Sequence, residues 1–184
     1  TILKTTDKGV TWTTPASGTG NNLYGAHLNY PNNVSMAVGA STTILKSTSW
    51  GDTWTSKNNG APAKDYYGVY LATTTLAVAA GADGTIIKTT DAGENWAAKV
   101  SGVAVHLRGL HSADGTNITA VGDSGTLIRS TDAGDTWAPV GAGVTLENLN
   151  AIWFYSTTVG YAVGNNGTIL KSTNNGANWS AQTS

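Results

Sequence analysis

Cysteine is missing from this 184-residue chain, so disulfides, thiol nucleophiles and thiolate-held zinc play no part in its chemistry. Oxidising and reducing milieus alike would leave it untouched. Charge is scarce as well: Asp, Glu, Lys and Arg supply 11% of the residues, against roughly 25% in an average soluble protein. Ten basic and eleven acidic side chains leave a net charge of −1, which withholds the basic footprint of a nucleic-acid binder and any field to steer acidic ligands. No run approaches the ~18 apolar residues of a membrane span, and no basic segment followed by an apolar core opens the chain. What is abundant is Gly, at 23 positions, with Ser, Thr and Asn, while 40% of the residues are hydrophobic, enough to fill a core at this length. An uncharged polar surface on a sizeable core favours an extracellular or cell-surface setting, with periplasm or thylakoid lumen as the alternatives.

One phrase recurs five times: TILKTTDKGVTW, TILKSTSWGDTW, TIIKTTDAGENW, TLIRSTDAGDTW and TILKSTNNGANW. Its tryptophans, Trp12, Trp54, Trp96, Trp137 and Trp179, follow one another at 42, 42, 41 and 42 residues. Between the phrases lie LYGAHL, YYGVYL, LRGLHS and LNAIWF, each followed by a small turn and an AVG-type run. These segments are short, β-branched or aromatic, and bounded by Gly, Asn, Asp and Ser. None carries the 3.6-residue apolar period of a helix. Each unit thus reads as four strands: the LYGAHL type, the AVG type, the TILKST type and a short run around the Trp. Four short antiparallel strands per unit predict a blade of a β-propeller, because one such sheet cannot bury both faces until neighbours pack on it. The turn between second and third strands carries Gly-Asp-Ser-Gly (122–125) or Gly-Asn-Asn-Gly (164–167), residues that supply positive φ. Gly39-Ala40-Ser41-Thr42 lacks the second Gly, which predicts a looser turn there.

The connection from third to fourth strand holds the pattern Ser/Thr-x-Asp-x-Gly-x-x-Trp. Asp7, Gly9 and Trp12 fill it in the first copy, Asp91, Gly93 and Trp96 in the third, and Asp132, Gly134 and Trp137 in the fourth. In the second copy Ser49 precedes Gly51 and Trp54, and in the fifth Asn174 precedes Gly176 and Trp179, so a neutral acceptor replaces the carboxylate in both. The Asp can accept N–H bonds that the turn leaves unpaired, Gly takes the left-handed backbone, and Trp buries a large surface under the hairpin. The pattern resembles the Asp-box, or bacterial neuraminidase repeat. The longer phrase GYAVGNNGTILKSTNNGANW resembles the repeat of the photosystem II assembly and stability factor family. The resemblance implies a propeller; the box also occurs in sialidases and xyloglucan-type glycoside hydrolases, so it carries no activity by itself.

Catalytic groups are sparse. Sialidases hold their substrate carboxylate with three arginines, and this chain has only Arg108 and Arg129. Glycosidases need two carboxylates across a cleft; Asp65 and Glu147, just before first strands, are the one pair worth testing. No Ser/His/Asp order, metal-ligand spacing or phosphate loop stands out, so no catalytic residue, metal or cofactor is assigned.

Aligning the first strands exposes two columns that differ between units: Tyr24, Tyr67, Arg108 and Asn150, and three residues later His27, Tyr70, His111 and Trp153. In a propeller these strands line the central channel. The earlier column is the candidate ligand site, since aromatic faces with a guanidinium and an amide suit a protein or a sugar; the later one reads as packing. The loops preceding the first strands share little beyond Gly and Pro, which suits recognition. A basic residue recurs in each third strand (Lys4, Lys46, Lys88, Arg129, Lys171) and reads as an outer-face side chain whose stem covers apolar neighbours.

The chain reads as one propeller-type domain over 1–184, with third-to-fourth-strand hairpins at 1–14, 43–57, 85–98, 126–139 and 168–182. Five such hairpins accompany four first-and-second-strand pairs, which predicts about four and a half blades of a longer protein, or self-association through the incomplete blade. The expected function is a non-catalytic binding or scaffold module with a protein or glycan partner. The alternatives are part of an Asp-box glycoside hydrolase or an assembly-factor-like chaperone. Sequons at Asn33, Asn117, Asn166 and Asn178 allow glycosylation, the last two reading as coincidental from their turn and Trp neighbours.

Overall fold

A computed structural model describes residues 1–183. The short apolar runs form sixteen strands in four antiparallel meanders, each with its strands in sequence order. The first blade holds β1 (Leu23–Asn29), β2 (Val34–Gly39), β3 (Ile44–Ser47) and β4 (Thr55–Ser56). The second holds β5 (Tyr66–Leu71), β6 (Ala77–Gly81), β7 (Ile86–Thr89) and β8 (Ala97–Lys99). The third comprises β9 (Leu107–His111), β10 (Ile118–Gly122), β11 (Leu127–Ser130) and β12 (Ala138–Pro139), and the fourth β13 (Leu149–Phe154), β14 (Gly160–Gly164), β15 (Ile169–Ser172) and β16 (Ser180–Gln182). The hairpin of residues 1–14 precedes them, closed by Lys4 and Thr13, which exchange both backbone bonds at 2.9 and 2.8 Å. Among the described residues the only helical pieces are 3₁₀ turns at 82–84, 123–125 and 165–167, and no helix is long and apolar enough to cross a membrane.

The cores lie between blades. Alternation sends Met36 and Val38 of β2 towards Ala77 and Ala79 of β6, while Val78 and Ala80 of β6 turn the other way towards Ile118 and Ala120 of β10. A second strand buried on both faces loses polar alternation, which is why the AVG runs are apolar throughout. Among the described residues the fourth blade is covered on one side only, and in β14 Ala162 is buried whereas Tyr161 and Val163 are exposed.

Each box is held by its hydroxyl together with the side chain two residues on. The Ser or Thr Oγ accepts the box glycine's N–H at 2.8–2.9 Å in all five copies: Thr5, Ser47, Thr89, Ser130 and Ser172. The Asp accepts the N–H of the residue four positions on, as Asp132 does from Thr136 at 2.8 Å. Ser49 and Asn174 accept the equivalent N–H at 3.0 and 2.9 Å, so the neutral replacements keep the bond. The glycine has a second duty beyond its positive φ: a Cβ on Gly93 would sit 2.9 Å from Met36 Cε, and one on Gly134 2.8 Å from Val78 Cγ2, both on the preceding blade. The tryptophans differ from the expectation. Trp96 and Trp179 are buried, whereas Trp12 is more than half exposed, since little among the described residues covers the first hairpin.

Two further expectations are corrected. The turn at 39–42 is no looser than its equivalents: Ser41 and Thr42 adopt φ of 52° and 61°, as Asp83 and Gly84 adopt 53° and 70°, and Thr43 N–H closes it on the Ala40 carbonyl at 3.1 Å. The basic residue of the third strand does more than cover apolar neighbours. Lys4 reaches Asp52 in the next blade's box at 2.6 Å, Lys88 reaches Asp135 at 2.7 Å, and Arg129 Nε donates to the Asn175 carbonyl at 2.8 Å. In these blades the side chain straps one blade to the next.

Candidate functional site

The four candidate residues share a backbone irregularity. In every blade the first-to-second-strand ladder slips once: Leu23 and Gly25 face Gly39 and Val38, Tyr66 and Gly68 face Gly81 and Ala80, Leu107 and Gly109 face Gly122 and Val121, and Leu149 and Ala151 face Gly164 and Val163. The extra residue is Tyr24, Tyr67, Arg108 or Asn150. A bulge leaves its extra residue out of the ladder and re-aims the side chain, so these four are released from the sheet while their neighbours stay in it. The inner strands touch closely beside them, a Cβ on Gly68 meeting Leu110 Cδ2 at 2.8 Å and Gly109 Cα at 3.3 Å.

The released side chains form a rim. The Tyr24 and Tyr67 rings lie 5.4 Å apart, tilted by 51°, and Tyr67 meets His106 edge-on at 5.7 Å. Arg108 Nε pairs with Asp123, and Asn150 Nδ2 donates to Asn165 Oδ1 at 2.8 Å, so both are held by their own blade's turn. Burial, then the nearby Asp65 charge, raises the Tyr67 hydroxyl above its usual pKa, leaving it a neutral donor. All four are part-exposed or exposed. A cavity of about 220 Å³ opens between the inner strands, with Tyr67, Arg108 and Asn150 on its wall together with His27, His111 and Trp153.

Below the rim the second column packs as a ring cluster. His27 meets Tyr70 at 4.9 Å, Tyr70 meets His111 at 5.4 Å, and His111 meets Trp153 at 4.0 Å. The two histidines also bond the next inner strand: His27 Nδ1 accepts Leu71 N–H at 3.3 Å, and His111 Nδ1 accepts Phe154 N–H at 3.1 Å. Burial, and next the neighbouring His27, lower His111 to about 4, and burial lowers His27 also, so both rings are neutral at pH 7 with the proton on Nε2.

A third column escaped the reading of the sequence. The residue before each first strand (Asn22, Asp65, His106, Asn148) accepts its own blade's turn through its carbonyl: Ala40, Ala82, Asp123 and Asn165 donate their N–H groups at 2.8–3.0 Å. In the last three the side chain also takes the preceding blade's turn: Asp65 Oδ1 from Ser41 N–H at 2.9 Å, His106 Nδ1 from Asp83 N–H at 3.1 Å, and Asn148 Oδ1 from Ser124 N–H at 2.9 Å. Since that bond occupies His106 Nδ1 as an acceptor, the 3.8 Å approach of Asp83 Oδ1 is no ion pair in this tautomer. The signal was in the sequence, as Asn, Asp, His and Asn are all side-chain acceptors at one register. Glu147, the partner proposed for Asp65, accepts Asn166 Nδ2 at 2.9 Å. Both carboxylates therefore hold turns.

Among the sequons, Asn33, Asn117 and Asn166 spend their amide groups on Thr48, Asp114 and Glu147. Asn178, for which the sequence predicts a coincidental match beside its Trp, is exposed, and its side chain has no hydrogen bond among the described residues.

Residues 103–173, under half of the chain, match the family described as photosynthesis system II assembly factor YCF48. No curated protein matches the chain. An ancestral GH74 enzyme superposes with a TM-score of 0.72 at 19% identity, over 94% of this chain and 25% of its own. YCF48 bound to D1 peptide gives 0.70 at 16% identity, over 90% and 55%, and the GH74 enzyme of Niastella koreensis gives 0.70 at 19%, over 97% and 33%. The chain thus spans between a quarter and about half of the length of these structures. The likeness to them is one of fold. The chain is a run of Asp-box β-propeller blades, related to YCF48 through the third blade and most of the fourth.

Proposed function

We propose that the chain is a non-catalytic binding module that takes a protein or glycan partner on the rim of Tyr24, Tyr67, Arg108 and Asn150. The observation that carries this reading is the bulge: each blade releases one residue from an otherwise repeated ladder, and three residue types fill the four released positions. A scaffold that repeats while one aimed position varies suits recognition. Two tilted tyrosines and a guanidinium fixed by Asp123 offer aromatic faces and oriented donors, the usual anchors of protein and sugar contacts. YCF48, whose repeats are related, has been seen with a peptide bound, which supports a protein partner. The engagement of Asp65 and Glu147 in turns supports a non-catalytic role. An extracellular or lumenal setting fits the cysteine-free, charge-poor composition.

The test is a glycan array and a pull-down from the native host, followed by titration of the captured ligand against Tyr67→Ala and Arg108→Ala. Each change should weaken binding by about 1 kcal/mol or more, as interface anchors do, with the melting temperature moving by only a few degrees. A double variant that binds as the parent does refutes the rim as the site.

A further inference from the structure

The cavity beneath the rim is walled by side chains with hydrogen bonds still to give. His111 stands between two blades, with Tyr70 of β5 and Trp153 of β13 both in ring contact with it. Its Nδ1 accepts Phe154 N–H, which puts the proton on Nε2 and makes that atom a donor. Only 7% of His111 is exposed, and among the described residues its Nε2–H has no acceptor. The atom is not sealed from solvent either, so it opens on the cavity that His111 lines. His27 adds a second donor of this kind, since its Nδ1 is taken by Leu71 N–H.

The rest of the wall divides unevenly. Arg108 commits Nε to Asp123 and, among the described residues, keeps both terminal nitrogens as donors. Asn150 commits Nδ2 to Asn165 and keeps Oδ1 as an acceptor. No carboxylate lines the cavity, and its one cation is matched by Asp123. Neither histidine can take a second proton without giving up a backbone bond. The wall therefore carries no net charge to draw in an anion, and a protonated Nε2 has no lone pair for a metal ion. A sugar ring brings about as many donors as acceptors, and here its hydroxyl protons would meet one free side-chain acceptor besides the Tyr67 hydroxyl. At about 220 Å³ the space is smaller than the roughly 300 to 1,000 Å³ of a drug-sized ligand site and suits a single side chain.

We propose that this cavity is a pocket for a primary carboxamide, the side chain of a glutamine or asparagine in a polypeptide partner. The carboxamide oxygen, with two lone pairs, accepts from His111 Nε2–H and from Arg108, and its N–H donates to Asn150 Oδ1. The methylene arm lies against the Trp153 ring. The assignment rests on the rim being a binding surface, names the chemistry the surface takes, and gives His111 a contact role beyond packing.

The probe is N-acetylglutamine methylamide, titrated into the full chain while the histidine and tyrosine ring signals are followed by NMR. The His111 Nε2–H and Tyr67 signals should shift together and saturate. N-acetylglutamate methylamide, of the same shape but charged, should bind about tenfold more weakly, because a carboxylate has no proton to give Asn150 Oδ1. Asn150→Ala, a change at an exposed residue, should erase that preference. His111→Phe keeps the ring between Tyr70 and Trp153 and should weaken the glutamine probe; its melting temperature records separately what Phe154 N–H loses. Equal binding of the two probes to the parent overturns the pocket, as does a His111 proton found on Nδ1. A His111 signal that stays still while Tyr24 and Tyr67 move also overturns it and leaves the rim in place. No response at any of these three rings overturns the pocket as well, the rim being judged by its captured ligand and the Tyr67 and Arg108 variants. Tighter binding of methyl glucoside than of the glutamine probe would give the cavity to a sugar instead.

Discussion

His106 Nδ1 accepts the backbone N–H of Asp83 from the preceding blade at 3.1 Å, while the carbonyl of the same residue accepts Asp123 N–H from its own blade's turn at 3.0 Å. One residue thereby ties two blades at the end that carries the rim. Asp65 repeats the arrangement between the first and second blades. Asp65→Ala should lower stability by about 1 kcal/mol, because Ser41 N–H loses its partner. Asp65→Asn should be close to neutral, since Asn148 makes the same bond with an amide oxygen. Denaturant unfolding of the two variants checks this, and equal losses would mean that charge rather than the bond is at work.

In the box the hydroxyl takes the buried bond and the carboxylate the exposed ones. Ser130 is buried, and its Oγ accepts Gly134 N–H at 2.8 Å in a buried setting, while donating to Asp132 Oδ1 at 2.7 Å. Ser130→Ala strands a buried donor and should cost about 1 to 3 kcal/mol. Ser130→Thr should be tolerated, as Thr5 and Thr89 fill the same role. Thermal unfolding of both variants measures the difference; an alanine variant as stable as the parent would return the weight of the box to Asp132.

Much of this was legible in the sequence because repetition multiplies weak signals. A single Ser-x-Asp-x-Gly-x-x-Trp would be a turn among many, but five at one spacing fix the blade, its strand order and the places of its glycines. What stayed hidden depends on how blades meet. Lys88 reads as a solvated face until Asp135, 47 residues on, is seen 2.7 Å away on the next blade. Thr42 reads as a break in the turn pattern, yet contacts on both sides force the same left-handed backbone on it. The bulges that aim Tyr24, Tyr67, Arg108 and Asn150 arise from a slip in pairing, and pairing register is a property of two strands together.

Acid should destabilise the protein in two stages. His111 is held at about 4 by burial, against 6.5 for the free side chain, and His27 is lowered by burial also. The unfolded chain therefore binds these protons first, and stability is full above pH 6.5 and falls as the pH drops from 6.5 towards 4. The His111 contribution to that fall is at most about 3 kcal/mol. Below it, the box carboxylates Asp7, Asp91 and Asp132 are held at about 2 by hydrogen bonds from Thr11, Asn95 and Thr136, so their stabilisation is present above 3.8 and is lost from there towards pH 2. Chemical unfolding across this range should show the upper stage shrink in His111→Tyr, a change that copies Tyr70 at the same register. An unchanged upper stage in that variant would remove His111 as its source.

The last prediction turns on Thr42. Its φ of 61° lies in the left-handed region, where Gly84, Gly125 and Gly167 stand in the other blades at 69–72°. A β-branched residue is strained there by roughly 1 to 2 kcal/mol, because Cβ crowds the following carbonyl. The surrounding bonds nevertheless enforce the geometry: Thr42 N–H donates to the Lys64 carbonyl at 2.9 Å, and Thr43 N–H to Ala40 at 3.1 Å. Thr42→Gly removes the crowding and keeps both bonds. Against this stands the larger backbone entropy that glycine loses on folding, roughly 0.5 to 1 kcal/mol. The difference favours the variant by about 0.5 to 1 kcal/mol, whereas Gly125→Thr, the reverse change in the third blade, should destabilise by more, since a Cβ there runs into the Thr145 carbonyl. Paired melting curves of the two variants decide the matter: a Thr42→Gly protein less stable than the parent would show that the Thr42 side chain contributes contacts that outweigh its backbone strain.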